Sequence, residues 1–188
     1  MAGRTFAIAV GSFVGLCCIP FIGSDYVLDL TIEVAIYALF ALSLNVLVGY
    51  TGNVSFGHAA YFAIGGYSCG ILLTTYEWPL YLSFPCAVLV SALCAAAIGF
   101  FCVRLNDIYF AMLTLAFAML VWSVAFKWRS LTGGDDGFVG IVLPQYLMSR
   151  MSFYCFSQLI VWVSVMTLWA ICRSPFGRVL MAIRENPM

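Results

Sequence analysis

The sequence predicts an all-α integral membrane protein with about six transmembrane helices followed by a short cytoplasmic amphipathic helix. Three observations predict it. Of 188 residues, 64% are hydrophobic and only 9% charged, with a mean hydropathy of +1.06. Ordinary globular domains carry roughly a quarter charged residues, and a soluble chain of this size could not hide so much apolar surface. The apolar residues fall into runs of about 20, and at ~1.5 Å per residue such a run matches a hydrocarbon core of about 30 Å. Short polar or glycine-rich stretches separate the runs. The formal net charge is +0, which gives no basic footprint for nucleic acid.

In chain order, Met1–Arg4 is a short basic start and residues 5–24 carry no charge. This run is long for the apolar core of a signal peptide and no A-x-A-like site follows it, so it is expected to be a retained span. Asp25, Asp29 and Glu33 flank the turn into a second span near 30–48. A third run, 59–76, contains Gly66-x-x-x-Gly70 and Ala59-x-x-x-Ala63, a spacing that lets helices approach closely. Glu77-Trp78-Pro79 makes a turn, with Trp78 and Tyr81 suited to the membrane interface. The fourth span, 80–103, carries another small-residue stripe at Ser91, Ala95 and Gly99, and Arg104–Asp107 forms a polar corner. The fifth span, 108–126, closes on Lys127-Trp128-Arg129, and the sixth covers 151–172. The whole of 1–188 is expected to form one transmembrane domain.

An even number of spans puts both termini on one side, and the positive-inside rule selects the cytoplasm. That places Arg4, Arg104, Arg173, Arg178 and Arg184 inside, against Lys127, Arg129 and Arg150 outside. Most of the acids then fall outside.

Three stretches carry chemistry. The first interrupts the second and third spans: Gly49, Gly52 and Gly57 permit turns, while Asn45, Thr51, Asn53, Ser55 and the lone His58 supply donors and acceptors. Irregular backbone beside such spans is tolerated at the interface, or where protein or a water-filled path satisfies it. A helix starting near His58 would offer free N–H groups to an anion, as in transporters with broken helices. A capped turn with a structural His58 is the plainer reading.

The second stretch is the tail. Ser174 suits an N-cap and Pro175 the first helical position. Phe176, Val179, Leu180 and Ile183 recur at helical spacing, leaving Arg178, Arg184 and Glu185 for another face. Such a helix either docks in a partner's groove or lies on lipid as a basic flank, and the pattern fits both.

The third stretch is Thr132-Gly-Gly-Asp-Asp-Gly137, which reads as a turn-rich loop outside the membrane, since no EF-hand spacing follows its paired acids. The eight cysteines lie in or beside apolar runs without a CxxC pair, and read as small buried hydrophobes. One histidine and few intramembrane charges do not furnish an active site, and no Walker A sequence is present.

Four motifs in order carry a resemblance. They are Gly49-Tyr-Thr-Gly-Asn-Val-Ser-Phe-Gly-His-Ala-Ala-Tyr-Phe-Ala-Ile-Gly-Gly-Tyr67, Arg104-Leu-Asn-Asp-Ile-Tyr-Phe-Ala-Met-Leu-Thr-Leu-Ala-Phe-Ala118, Thr132–Gly137, and Ser174-Pro-Phe-Gly-Arg178 with Ala182-Ile-Arg-Glu-Asn186. Together they resemble branched-chain amino acid ABC transporter permeases of the LivM type, over nearly the whole chain after about residue 29. Arg104-Leu-Asn106-Asp107 departs from that family's more usual glycine-containing turn.

The resemblance implies an ABC importer subunit in the bacterial inner membrane, with its N-terminus cytoplasmic. It implies a coupling segment, 174–186, in which Ser174, Pro175, Phe176, Gly177, Arg178, Ala182, Arg184 and Glu185 meet an ATPase. It implies that the Gly49–Tyr67 segment lines or shapes the translocation path, and that Gly133, Gly134, Asp135, Asp136 and Gly137 lie toward a periplasmic substrate-binding protein. The implied partners are a second permease subunit and two ATP-binding cassette subunits, which use ATP and Mg; this chain is expected to bind no cofactor or metal itself and to be no enzyme. Related urea or amide importers share the motifs. Family members continue with further spans after the coupling segment, so this chain is expected to be a fragment, a split permease or a truncated remnant.

Overall fold

The computed structural model describes residues 24–105, 107–141 and 144–185, with Asp107 described by its backbone alone. The run expected to form the first span, 5–24, lies outside these residues apart from Ser24, as do Asn106 and Asn186. The described residues are helical, with no strand among them, and divide into two compact units. One comprises the described residues up to Thr51 and those from Gln145 onward; the other is Gly52–Pro144.

The first unit is built on two long helices, α1 (Asp25–Asn45) and, later in the chain, Arg150–Arg173. α1 starts where extended Ser24 offers its carbonyl to the amides of Val27 and Leu28 at 2.9 and 3.2 Å, with Asp25 in the first turn complementing the helix dipole. Asp29 and Glu33, expected to flank the turn, lie inside the helix. Its winding loosens to π over Val46–Thr51 instead of breaking at Gly49, so the chain leaves the helix only at Gly52, where φ reaches +79°. Leu28, Ile32 and Ala35 make its buried stripe. Leu28 and Ile32 form a cluster with Tyr154, and Phe153 packs against it.

The second unit holds α2 (His58–Thr74), α3 (Leu80–Cys102), α4 (Asp107–Lys127) and the single turn α5 (Arg129–Thr132). α2 and α3 form a hairpin closed at Pro79, whose fixed φ suits a helix start; in the connection the Trp78 amide returns to the Leu72 carbonyl at 3.0 Å. The Ser91 hydroxyl donates to the Tyr61 carbonyl at 2.8 Å and ties the first turn of α2 to the middle of α3. Close approach follows the small-residue spacing read from the sequence at Gly70 and Ser91 but not at Gly66 or Gly99. A β-carbon on Gly66 or Gly99 would meet nothing within 4 Å, whereas one on Gly65 would touch Ser91 and one on Gly70 would meet the Phe138 ring at 3.0 Å. Side-chain spacing marks which residues share a face, not which face the neighbour takes.

We number the remaining helices α6 (Arg150–Arg173) and α7 (Pro175–Glu185). Among the described residues, four helices are long and apolar enough to cross a membrane: α1 with its π extension, α3, α4 and α6. α2, with 17 residues, is about 25 Å long. Large apolar side chains on the long helices stand open, among them Val34 (58%), Leu93 (69%), Ile108 (74%) and Met119 (61%). Exposure of that extent suits lipid and not water. The protein is therefore a multi-pass membrane protein.

Candidate functional site

In the first unit, Ser174 ends one helix and starts the next. Its amide donates back to the carbonyls of Ala170 and Ile171 at 3.0 and 3.1 Å. Its extended conformation (φ −67°, ψ 167°) stops α6. Its hydroxyl donates to the Ile171 carbonyl at 2.7 Å and accepts the Gly177 amide at 3.4 Å, the N-cap geometry that Ser-Pro predicts. Gly177 is buried in the corner, where a β-carbon would stand 2.3 Å from the Cys172 carbonyl oxygen. Arg173 lies over the Trp169 ring, 4.2 Å from its centroid.

Two faces of α7 have different surroundings. Gly177, half-buried Leu180 and Arg184 point one way, and Arg184 Nη1 donates to the Gly49 carbonyl at 2.6 Å. Phe176 (61% exposed), Val179 and Ile183 (54% each) form an open apolar stripe. Leu180, expected with that stripe, is partly covered instead. Arg178, Ala182 and Glu185 are exposed. A cavity of about 200 Å³ opens beside Asn45, Val46, Tyr50, Leu168, Trp169 and Cys172.

The polar break divides between the units. Asn45, Gly49 and Thr51 belong to the first. The Thr51 hydroxyl turns back to the Leu47 carbonyl, and a β-carbon on Gly49 would meet Asn45 Oδ1 at 3.1 Å. Gly52, Asn53, Ser55, Gly57 and His58 belong to the second, where residues 52–57 run without regular structure and Ser55 is buried. The Phe56 amide donates to Thr114 Oγ1 at 3.2 Å, and that hydroxyl donates to the Ala111 carbonyl at 2.9 Å. A β-carbon on Gly57 would stand 2.9 Å from the Thr114 carbonyl oxygen. Gly57 is the N-cap of α2 and has no side chain of its own to cap the first turn. His58 is half-buried and meets Tyr61 edge-on, with centroids 6.5 Å apart.

Sequence reasoning did not single out Thr114 or the partner of Arg184. Thr114 is a lone hydroxyl in the run Ala111-Met-Leu-Thr-Leu-Ala116, and that isolation is the signal that marks it.

In the loop after α5, buried Thr132 donates within reach of the carbonyls of Ala125 (2.5 Å) and Trp128 (2.8 Å) and accepts the Gly134 amide at 3.4 Å. Gly133, Gly134 and Gly137 all have positive φ, from 61° to 79°. A tight fold of this kind leaves Asp135 and Asp136 exposed at its tip.

A model of the branched-chain amino acid transport system permease component family matches residues 26–188. The chain is 28% identical to the high-affinity branched-chain amino acid transport system permease protein LivM of Salmonella typhimurium, and 27% identical to that of Escherichia coli. Each match covers 89% of this chain and 46% of the relative, so the chain spans about half the length of the curated relatives it matches. No solved structure matches.

Proposed function

Because the chain belongs to the branched-chain amino acid transport system permease family, we propose that it acts as a transmembrane permease subunit of an ABC importer for branched-chain amino acids. Its partners in this reading are a second permease subunit, two ATP-binding cassette subunits and a periplasmic substrate-binding protein. ATP and Mg are used on the cassette subunits, and this chain performs no catalysis.

One observation carries the reading beyond the family. The stripe of Phe176, Val179 and Ile183 lies open on a helix fixed to the end of α6 by the Ser174 cap and the Gly177 contact. A rigidly mounted apolar stripe suits a groove on a partner. In this role α7 is the coupling helix, and hydrolysis on the partner shifts the membrane domain between two access states. Arg173 at the end of α6, with Arg178 and Arg184 on α7, supports a cytoplasmic position for that end, and with it an inner-membrane protein whose N-terminus is cytoplasmic. The run 5–24 and α2 complete the six spans of this reading.

Residues Asn45, Gly49, Thr51, Gly52, Asn53, Ser55, Gly57 and His58 belong to the translocation path in the same proposal. The positive dipole end of α2, which starts at His58 behind a glycine N-cap, would favour a negatively charged group such as a substrate carboxylate. The Gly133–Gly137 loop, with exposed Asp135 and Asp136, faces the substrate-binding protein.

The test is ATP-dependent uptake of radiolabelled leucine into proteoliposomes holding this chain and those partners. Uptake that needs this chain and is lost with Phe176→Asp supports the proposal. Uptake that is the same without this chain contradicts it.

A further inference from the structure

We propose that Arg184 caps the π-wound end of α1 from another helix, latching α7 to that end so that the two move together. The inference deepens the coupling reading and rests on it for its role in transport, but the latch itself is a property of this chain.

A helix leaves its last carbonyls without intrahelical partners, and a nearby cation both hydrogen-bonds them and complements the negative end of the dipole. Neither α1 nor its π extension has a basic residue in its last turn. The missing cation comes from 135 residues further on, as the 2.6 Å bond from Arg184 Nη1 to the Gly49 carbonyl. Gly49 lies within the π turn Val46–Thr51, where the Thr51 hydroxyl already serves the Leu47 carbonyl. Its missing side chain leaves Asn45 close against the same turn.

The other end of α7 is held by Gly177 against the Cys172 carbonyl. Gly177 and Arg184 are seven residues apart, two helical turns on one face. The helix is therefore fixed near both ends along one face, while Phe176, Val179 and Ile183 stay open to a partner. A force on the open stripe must carry the π turn with it or break the Arg184 bond. Arg184 is thus a positioning residue.

The experiment is amide hydrogen exchange on the full chain in lipid nanodiscs, comparing wild type with Arg184→Gln, Arg184→Lys and Arg178→Gln, the last a control on the same helix that is exposed as Arg184 is. Arg184→Gln is expected to speed exchange in the peptide covering 46–53 by about threefold, since the lost bond is charge-assisted but exposed. Arg184→Lys, which keeps the charge, is expected to restore most of the protection, and Arg178→Gln to change nothing there. Exchange in α6 should stay at the wild-type level in all three. Unchanged exchange at 46–53 in Arg184→Gln overturns the latch. If that variant does not insert, Arg184→Ala takes its place: exchange at 46–53 faster than in Arg178→Gln supports the latch, and exchange equal to it overturns the latch. Co-purification of an ATPase is scored separately, so loss of the coupling reading with the exchange effect intact leaves the latch standing.

Discussion

A β-carbon on Gly177 would stand 2.3 Å from the carbonyl oxygen of Cys172. The obstruction is backbone, which cannot swing aside as a flexible side chain would. Gly177→Ala is therefore expected to destabilise the corner between α6 and α7 by about 1–3 kcal/mol, the usual range for overpacking. Limited proteolysis checks it: a new cut near 172–178 is expected, with the membrane-inserted fraction unchanged.

Thr114 holds the irregular segment through one hydroxyl that accepts from the Phe56 amide. Thr114→Val keeps the shape and removes the acceptor, leaving that amide unsatisfied at a cost of about 1–3 kcal/mol. Faster amide exchange at 54–57 is the expected outcome, with Thr114→Ser close to wild type.

Gly133 adopts φ +79°, and a β-carbon there would stand 2.1 Å from the Gly137 carbonyl oxygen. Gly133→Ala is expected to disorder the loop after α5, read as protease sensitivity at 133–140. Asp135→Asn with Asp136→Asn changes only exposed charge. It is expected to leave the fold intact and to weaken capture by a substrate-binding protein in a pull-down.

Arg150 bonds Asp29 at 2.6 Å, but both side chains are more than half exposed. Exposed pairs contribute about 0–1 kcal/mol. Arg150→Ala is expected to shift thermal unfolding in detergent little, far less than Gly177→Ala does.

The long helices were legible because length and hydropathy suffice to mark an apolar run of spanning length. The corner was legible too, since Ser174-Pro175 combines a cap with a fixed φ. The end of α1 was not. Glycine at 49 reads as punctuation, yet the backbone keeps a helical, π-wound course to Thr51, because glycine permits a break without requiring one. The Arg184–Gly49 and Thr114–Phe56 contacts join a side chain to a backbone atom across 135 and 58 residues. No local pattern records such pairings. The spacing of α7 showed its apolar residues but not that Arg184, read as part of a separate polar face, is engaged with α1.

The most direct test is co-purification from membranes of the tagged chain, co-expressed with ATP-binding cassette subunits of a branched-chain amino acid importer from the same organism. The account predicts that an ATPase is recovered, and that deleting Ser174–Met188 or introducing Phe176→Asp abolishes its recovery while the chain still inserts. Clean insertion of the intact chain with no ATPase bound, or equal recovery after the deletion, would contradict the claim that α7 is the coupling helix.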